Sequence, residues 1–119
     1  MAGFNPVYAG VGDNKLDVYG ATDVAMFTIT FGASDTYTAG GLALTAATFG
    51  LSRPIAGIVM LGGNTAGIVV GLYWNTQTQK LQMTEVNVGL ASTPAEFQEL
   101  AASTSIASFA FTVLVFTQR

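Results

Sequence analysis

Apolar and polar residues alternate along most of this chain with the two-residue period of β-strands. The stretch at 24–31 places large apolar side chains on one face and Met26, Thr28 and Thr30 on the other. No segment of useful length has the 3.6-residue period of an amphipathic helix. The pattern therefore predicts an all-β chain made of short strands.

Three further parts of the pattern predict how these strands are arranged. Residues 109–117 are apolar on both alternating faces, which is typical of a strand at the centre of a sheet or packed on both sides. A hairpin of 68–74 with 80–86 is predicted across the polar run NTQTQ. Apolar strands at 54–61 and 66–74 are predicted to flank a turn at Gly62-Gly63-Asn64.

The stretch SDTYTAGGLALTAATFGL, residues 34–51, combines turn residues with a short helical signal. Gly40-Gly41 permits positive φ, and Thr45 is expected to cap one helical turn that ends at Gly50. A second single turn is predicted at Pro94–Leu100. The fold class is therefore an all-β sandwich or small, jelly-roll-like barrel of about six to eight short antiparallel strands, with one or two single-turn helices.

The domain organisation follows from the length of 119 residues, which is typical of one domain. Residues 1–14 carry three glycines and one proline between apolar residues, which predicts an extended N-terminal arm. Residues 15–119 are predicted to form the β-sandwich domain. Within the arm, Phe4, Val7 and Tyr8 are the candidates for a contact with a neighbouring molecule.

The low charge content favours a component of an assembly over an isolated domain. Charged residues make up 9% of the chain, against about 25% in typical domains. A surface of small neutral groups favours burial against other protein, because little charge must be desolvated. The face with Met26, Thr28 and Thr30 is a second candidate for such a contact. The four cations are scattered and the net charge is −3, so a nucleic-acid partner is not expected.

The residues that commonly carry chemistry are scarce. The chain has neither cysteine nor histidine, so no disulfide is expected and its serines have no imidazole to activate them. Two of its acids could in principle form a glycosidase pair, but most lie at predicted turns and strand ends, where acids commonly act as caps. Asp13 and Asp17 have a calcium-like spacing without the full loop pattern. The expectation is a protein without catalytic residues, metal or cofactor.

One apolar stretch raises the alternative of a membrane span. The residues between Arg53 and Lys80 carry no charge, and 54–74 is long enough to cross a bilayer. The turn signal at its centre and its richness in Ile and Val favour two buried strands instead. The sequence therefore predicts no membrane partner.

A set of spaced residues resembles a known class of proteins. The pattern Asp35-x-Tyr37-x-x-Gly40-Gly41-x-x-Leu44-Thr45, followed by Gly50-Leu51, is similar to that of small structural proteins of tailed-bacteriophage virions. The resemblance extends over about 24–117, through a return strand opening Gln79-Lys80-Leu81 and a closing strand preceded by Ser103-Thr104-Ser105.

The resemblance implies a capsid decoration or cement protein on the virion surface. Such a protein would bind the outside of an icosahedral head as a homotrimer, contact the major capsid protein and stabilise the junctions between capsomers. The resemblance carries no catalytic residue over to this chain.

The alternative function is a carbohydrate- or receptor-binding β-module of a tail or head fibre, for which Tyr73 and Trp74 would supply an aromatic shelf beside the hairpin turn.

Overall fold

The fold is given by a computed structural model, which describes residues 3–8, 16–17, 22–65, 67–87 and 96–118. In these ranges the chain forms two antiparallel sheets and one 3₁₀ turn, and no α-helix is present. The prediction of a small all-β, sandwich-like domain is confirmed.

The first sheet has β9 at its centre. Its strands are β1 (Asn5–Tyr8), β2 (Leu16–Asp17), β3 (Thr22–Thr30), β5 (Ile55–Asn64) and β9 (Ala110–Gln118). Their order is β1-β3-β9-β5, and β2 pairs with β3 as well. The strand predicted from its two apolar faces therefore lies between β3 and β5, which confirms its central position.

The second sheet is built on the predicted hairpin. Its strands are β4 (Leu42–Ala43), β6 (Val70–Asn75), β7 (Lys80–Asn87) and β8 (Glu96–Glu99). Their order is β4-β7-β6, with β8 also on β7. In the turn between β6 and β7, Oδ1 of Asn75 accepts hydrogen bonds from the backbone N–H groups of Gln77 and Thr78, as turn-forming asparagines commonly do.

One apolar core holds side chains from both sheets. The face of β3 predicted to be apolar is buried, and the inward positions of β9 alternate with half-buried outward ones along the whole strand. The side chains with the least exposure include Ile29, Leu81, Met83, Ile106, Phe111, Val113 and Val115. The two-residue period seen in the sequence therefore reports burial directly.

The stretch at 34–51 carries the chain from one sheet to the other and back. It follows β3 of the first sheet, contains β4 of the second and precedes β5 of the first. The predicted helical turn is the 3₁₀ turn Ala46–Phe49, which follows Thr45 as its N-cap and ends at Gly50 with a φ of 71°. The backbone N–H of Leu51 donates to the carbonyl of Ala46 over 2.9 Å, which closes the turn.

Two local predictions are wrong. Gly62-Gly63-Asn64 continues β5 and pairs with β9, and the chain turns only after it, around Gly67 with its φ of 94°. The helical turn expected at Pro94–Leu100 is replaced by β8, because Glu96–Glu99 pairs with β7. In both places the ladder with a neighbouring strand outweighs the local turn or cap signal.

The N-terminal arm contains an edge strand of the first sheet. β1 pairs antiparallel with β3, so that Asn5 lies opposite Thr30 and Tyr8 opposite Phe27. Gly3 is packed so closely on Gly32 that a Cβ on Gly3 would lie 2.1 Å from the Cα of Gly32. Residues 9–14 of the arm lie outside the described ranges.

Candidate functional site

Asp35, Tyr37 and Gly40 of the 34–51 stretch form hydrogen bonds within the molecule. The buried carboxylate of Asp35 accepts a 2.9 Å hydrogen bond from the backbone N–H of Gly32. Oε1 of Glu99 accepts 2.7 Å hydrogen bonds from the Tyr37 hydroxyl and from the N–H of Gly40. Burial and the bond to Glu99 raise the pKa of Tyr37 to about 12. These residues hold the crossing between the sheets in place.

The described part of the chain offers neither a metal site nor a membrane-spanning helix. No group of three or more His, Cys, Asp or Glu side chains is arranged to hold a metal ion there. No helix in those residues has the length and hydropathy needed to cross a membrane.

The surface that best fits an interaction is the outward side of the first sheet, here called the neutral face. Antiparallel partners point to the same side of a sheet, so its rows can be followed from the register. One row joins Met26 to Leu114 and Leu114 to Val59. The next row runs across β1, β3, β9 and β5, and it consists of Val7, Thr28, Thr112 and Gly62.

The neutral face carries no charged residue at any position described. Besides the two rows above, its outward positions are Asn5, Val24, Thr30, Gly57, Asn64, Ala110 and Phe116. Most are half-buried, and Val59 is 49% exposed. The outward positions of the second sheet differ, since they include Lys80 and Glu99. Of the two outward sheet surfaces described, the one on the first sheet is therefore the surface without charged residues.

The structure brings most of the candidate contact residues together. Met26, Thr28 and Thr30 follow one another along the neutral face, and Val7 lies directly opposite Thr28 on the neighbouring strand. Val7 is 52% exposed, so it remains available to a partner. The side chain of Tyr8 lies outside the described part of the structure.

Phe4 is placed differently from the other candidates. It is partly buried against the molecule's own core. Its ring centroid lies 5.7 Å from that of Phe31 and 5.7 Å from that of Phe49. These ring contacts anchor the start of β1 to its own domain.

Sequence reasoning missed the contributions of the other strands to this face. Thr112, Leu114 and Phe116 of β9, and Val59 of β5, form its middle and one side. The signal that could have identified them is the second apolar face of β9, because a strand that is apolar on both faces is usually covered on both.

Tyr73 and Trp74 do not form one shelf, because consecutive strand residues point to opposite sides. Trp74 is 6% exposed and belongs to the core, whereas Tyr73 is 59% exposed. Both border a groove of about 400 Å³ between β5 and β6. The Nε1–H of Trp74 is buried and has no hydrogen-bond acceptor among the described residues. A carbohydrate site here would therefore depend on Tyr73 for its stacking surface.

Comparison of the chain with models of protein families, with curated proteins and with solved structures found no match.

Proposed function

We propose that this protein is a non-catalytic structural protein that acts by packing against copies of itself and against a larger protein shell. The observation that carries the proposal is the neutral face, an outward sheet surface without a charged residue in the described part of the chain. Covering it desolvates no charge, so its apolar side chains contribute to association without an opposing electrostatic cost.

The size of the neutral face is suited to this role. Four strands at about 4.8 Å spacing and nine residues at about 3.4 Å rise give a surface of about 19 by 30 Å. That footprint, about 600 Å², approaches the roughly 800 Å² that each partner contributes to a stable interface. Symmetric repetition of such a contact multiplies its effect in an assembly.

The specific setting we propose is the outside of a tailed-phage head, as a trimeric decoration or cement protein on the major capsid protein. Its support is the resemblance of the 34–51 stretch to such proteins. Asp35, Tyr37, Gly40 and Gly50 of that pattern all have structural roles here. A pattern that maintains a shape is what a protein working by surface fit would need.

The test is binding of the purified chain to expanded and unexpanded phage heads, followed by co-sedimentation. Saturable binding to expanded heads only is expected, and Thr28→Lys, which places a charge in the middle of the neutral face, should abolish it. Ala102→Lys is the matched control, since Ala102 is exposed and lies in a turn outside the strands of both sheets. A chain that stays monomeric and binds neither form of head would overturn the proposal.

A further inference from the structure

The most exposed large apolar side chains are concentrated in one region. Six such residues are found in the described part of the chain, and five of them lie on β5, on β6 or in the connection between the two strands. These five are Val59, Leu61, Ile68, Val69 and Tyr73. No charged residue occurs between Arg53 and Lys80. A patch of this kind on a small domain marks an interaction site.

The backbone at this patch is a free edge of the first sheet in the described part of the chain. β5 pairs with β9 on one side and has no strand on its other side in the described part of the chain. It is ten residues long and contains neither proline nor a charged residue. The opposite edge is formed by β1, which has four residues and includes Pro6, and by β2, which has two. Short length and proline protect an edge from pairing. β5 has neither, and the bulges that interrupt its ladder with β9 lie on either side of the regular stretch Gly57–Met60.

The groove between β5 and β6 gives a new strand access to this edge. It is lined on one side by Gly57–Met60 and on the other by Leu72–Trp74. Gly57–Met60 lies between two bulges of β5, one at Ala56 and one at Leu61, and keeps an unbroken register with β9. A regular stretch of strand backbone therefore borders the open space.

We propose that β5 of a second copy of this chain adds antiparallel to β5, which joins the two first sheets into one continuous sheet. An antiparallel pair of identical strands is related by a twofold axis, so both copies contribute the same patch to the contact. Both sides are uncharged, which removes the desolvation cost that a charged partner strand would bring. The twofold axis stands perpendicular to the sheet, so the neutral faces of the two copies lie on the same side and form one wider surface.

The first test is sedimentation equilibrium of the full chain over a wide concentration range. The wild-type chain should form a discrete dimer, or a hexamer of two trimers if the proposed trimer also forms, because a twofold contact cannot lie within a trimer. Leu61→Lys should weaken dimerisation about tenfold or more, because a lysine on an edge strand blocks pairing. Ala102→Lys should leave dimerisation unchanged, and circular dichroism checks that both variants stay folded. A chain that is monomeric throughout, or that forms only polydisperse aggregates, would overturn the proposal.

The second test reads the pairing direction from cross-links. The chain has no cysteine, so each of Gly57→Cys, Val59→Cys and Leu61→Cys carries a single thiol. The variants are oxidised alone and as mixtures of two. In an antiparallel pair of identical strands, the numbers of two opposite residues always add up to the same sum. Disulfides should therefore form only between positions that share one sum, since opposite residues come within disulfide distance. Disulfides between like positions at all three sites would indicate a parallel stack and would refute the antiparallel dimer.

This inference is separable from the proposed function. Thr28→Lys should leave the β5 cross-links intact even where it abolishes binding to heads, because Thr28 lies on β3, away from the edge. Loss of the cross-links in Thr28→Lys would mean that the β5 contact does not exist as an independent interface.

Discussion

The hydroxyl of Tyr37 donates a 2.7 Å hydrogen bond to Oε1 of Glu99 and accepts one of 3.2 Å from the backbone N–H of Met83. The Tyr37 carbonyl also accepts a 2.8 Å hydrogen bond from the N–H of Ser103. One buried residue thus joins the crossing between the sheets to β7, to β8 and to the loop before β9.

Replacing Tyr37 with Phe should destabilise the fold by about 1–3 kcal/mol, the usual cost of leaving buried hydrogen-bonding groups without a partner. The change keeps the ring, so packing is preserved and the effect isolates the hydroxyl. Urea unfolding followed by the fluorescence of Trp74, the single tryptophan, measures it. Tyr73→Phe is the matched control, because Tyr73 is exposed, and it should change the free energy of unfolding by less than about 0.5 kcal/mol.

The raised pKa of Tyr37 predicts a specific loss of stability in alkali. Burial and the bond to Glu99 favour the neutral phenol, which moves its pKa from 10.0 to about 12. Between these values the unfolded chain releases a proton that the folded chain retains. The free energy of unfolding should therefore fall as the pH rises from 10 to 12, by up to about 1.4 kcal/mol per pH unit from this group.

Denaturant titrations at several pH values in this window test that prediction. The informative quantity is the difference between wild type and Tyr37→Phe, because that difference isolates the contribution of this hydroxyl. The gap in stability between the two proteins should narrow as the pH approaches 12. A gap that stays constant across the window would show that the phenol does not keep its proton in the folded state.

The parts of the fold that could be predicted are those where one strand's own residues decide burial. The alternation in β3 and the two apolar faces of β9 gave their burial and position directly, since a strand's side chains report which faces are covered. The hairpin of β6 with β7 followed in the same way from a local turn signal. The turn at Thr45–Gly50 also depends on contacts within a few residues.

The parts that could not be predicted depend on which strands become neighbours. Gly62-Gly63-Asn64 has the composition of a turn, yet it extends β5 because β9 offers a ladder along its whole length. Pro94–Leu100 has a helix-start signal, yet Glu96–Glu99 completes the edge of β7. The neutral face combines four strands from distant parts of the sequence, so only Met26, Thr28 and Thr30, and Val7 as part of the arm, could be named beforehand.

Gly41 should be far less tolerant of a side chain than Gly40, its neighbour. Both have positive φ, 89° at Gly40 and 112° at Gly41, so alanine at either site is strained, at about 1–3 kcal/mol. At Gly41 a Cβ would also lie 2.9 Å from the carbonyl oxygen of Leu81, whereas at Gly40 it meets nothing within 4 Å. Thermal unfolding should therefore show a clearly lower Tm for Gly41→Ala than for Gly40→Ala. Equal Tm values would mean that β4 can move away from β7 without cost.

Thr112 and Val113 are consecutive residues of the central strand, and they should separate assembly from stability. Val113 is fully buried in the core, so Val113→Ala should cost about 2–3 kcal/mol of folding free energy. Thr112 lies outward in the middle of the neutral face, so Thr112→Lys should change the stability of the isolated chain by less than about 1 kcal/mol.

Assembly should respond to the same two substitutions in the opposite order. Thr112→Lys places a charge on the face that the proposed partner would cover, and desolvating that charge opposes association. Head binding should therefore be lost in Thr112→Lys and retained in Val113→Ala at a temperature where that variant is folded. Co-sedimentation and urea unfolding of both variants measure the two effects separately. If Thr112→Lys binds as well as the wild type, the outward side of the first sheet is not the surface that partners cover.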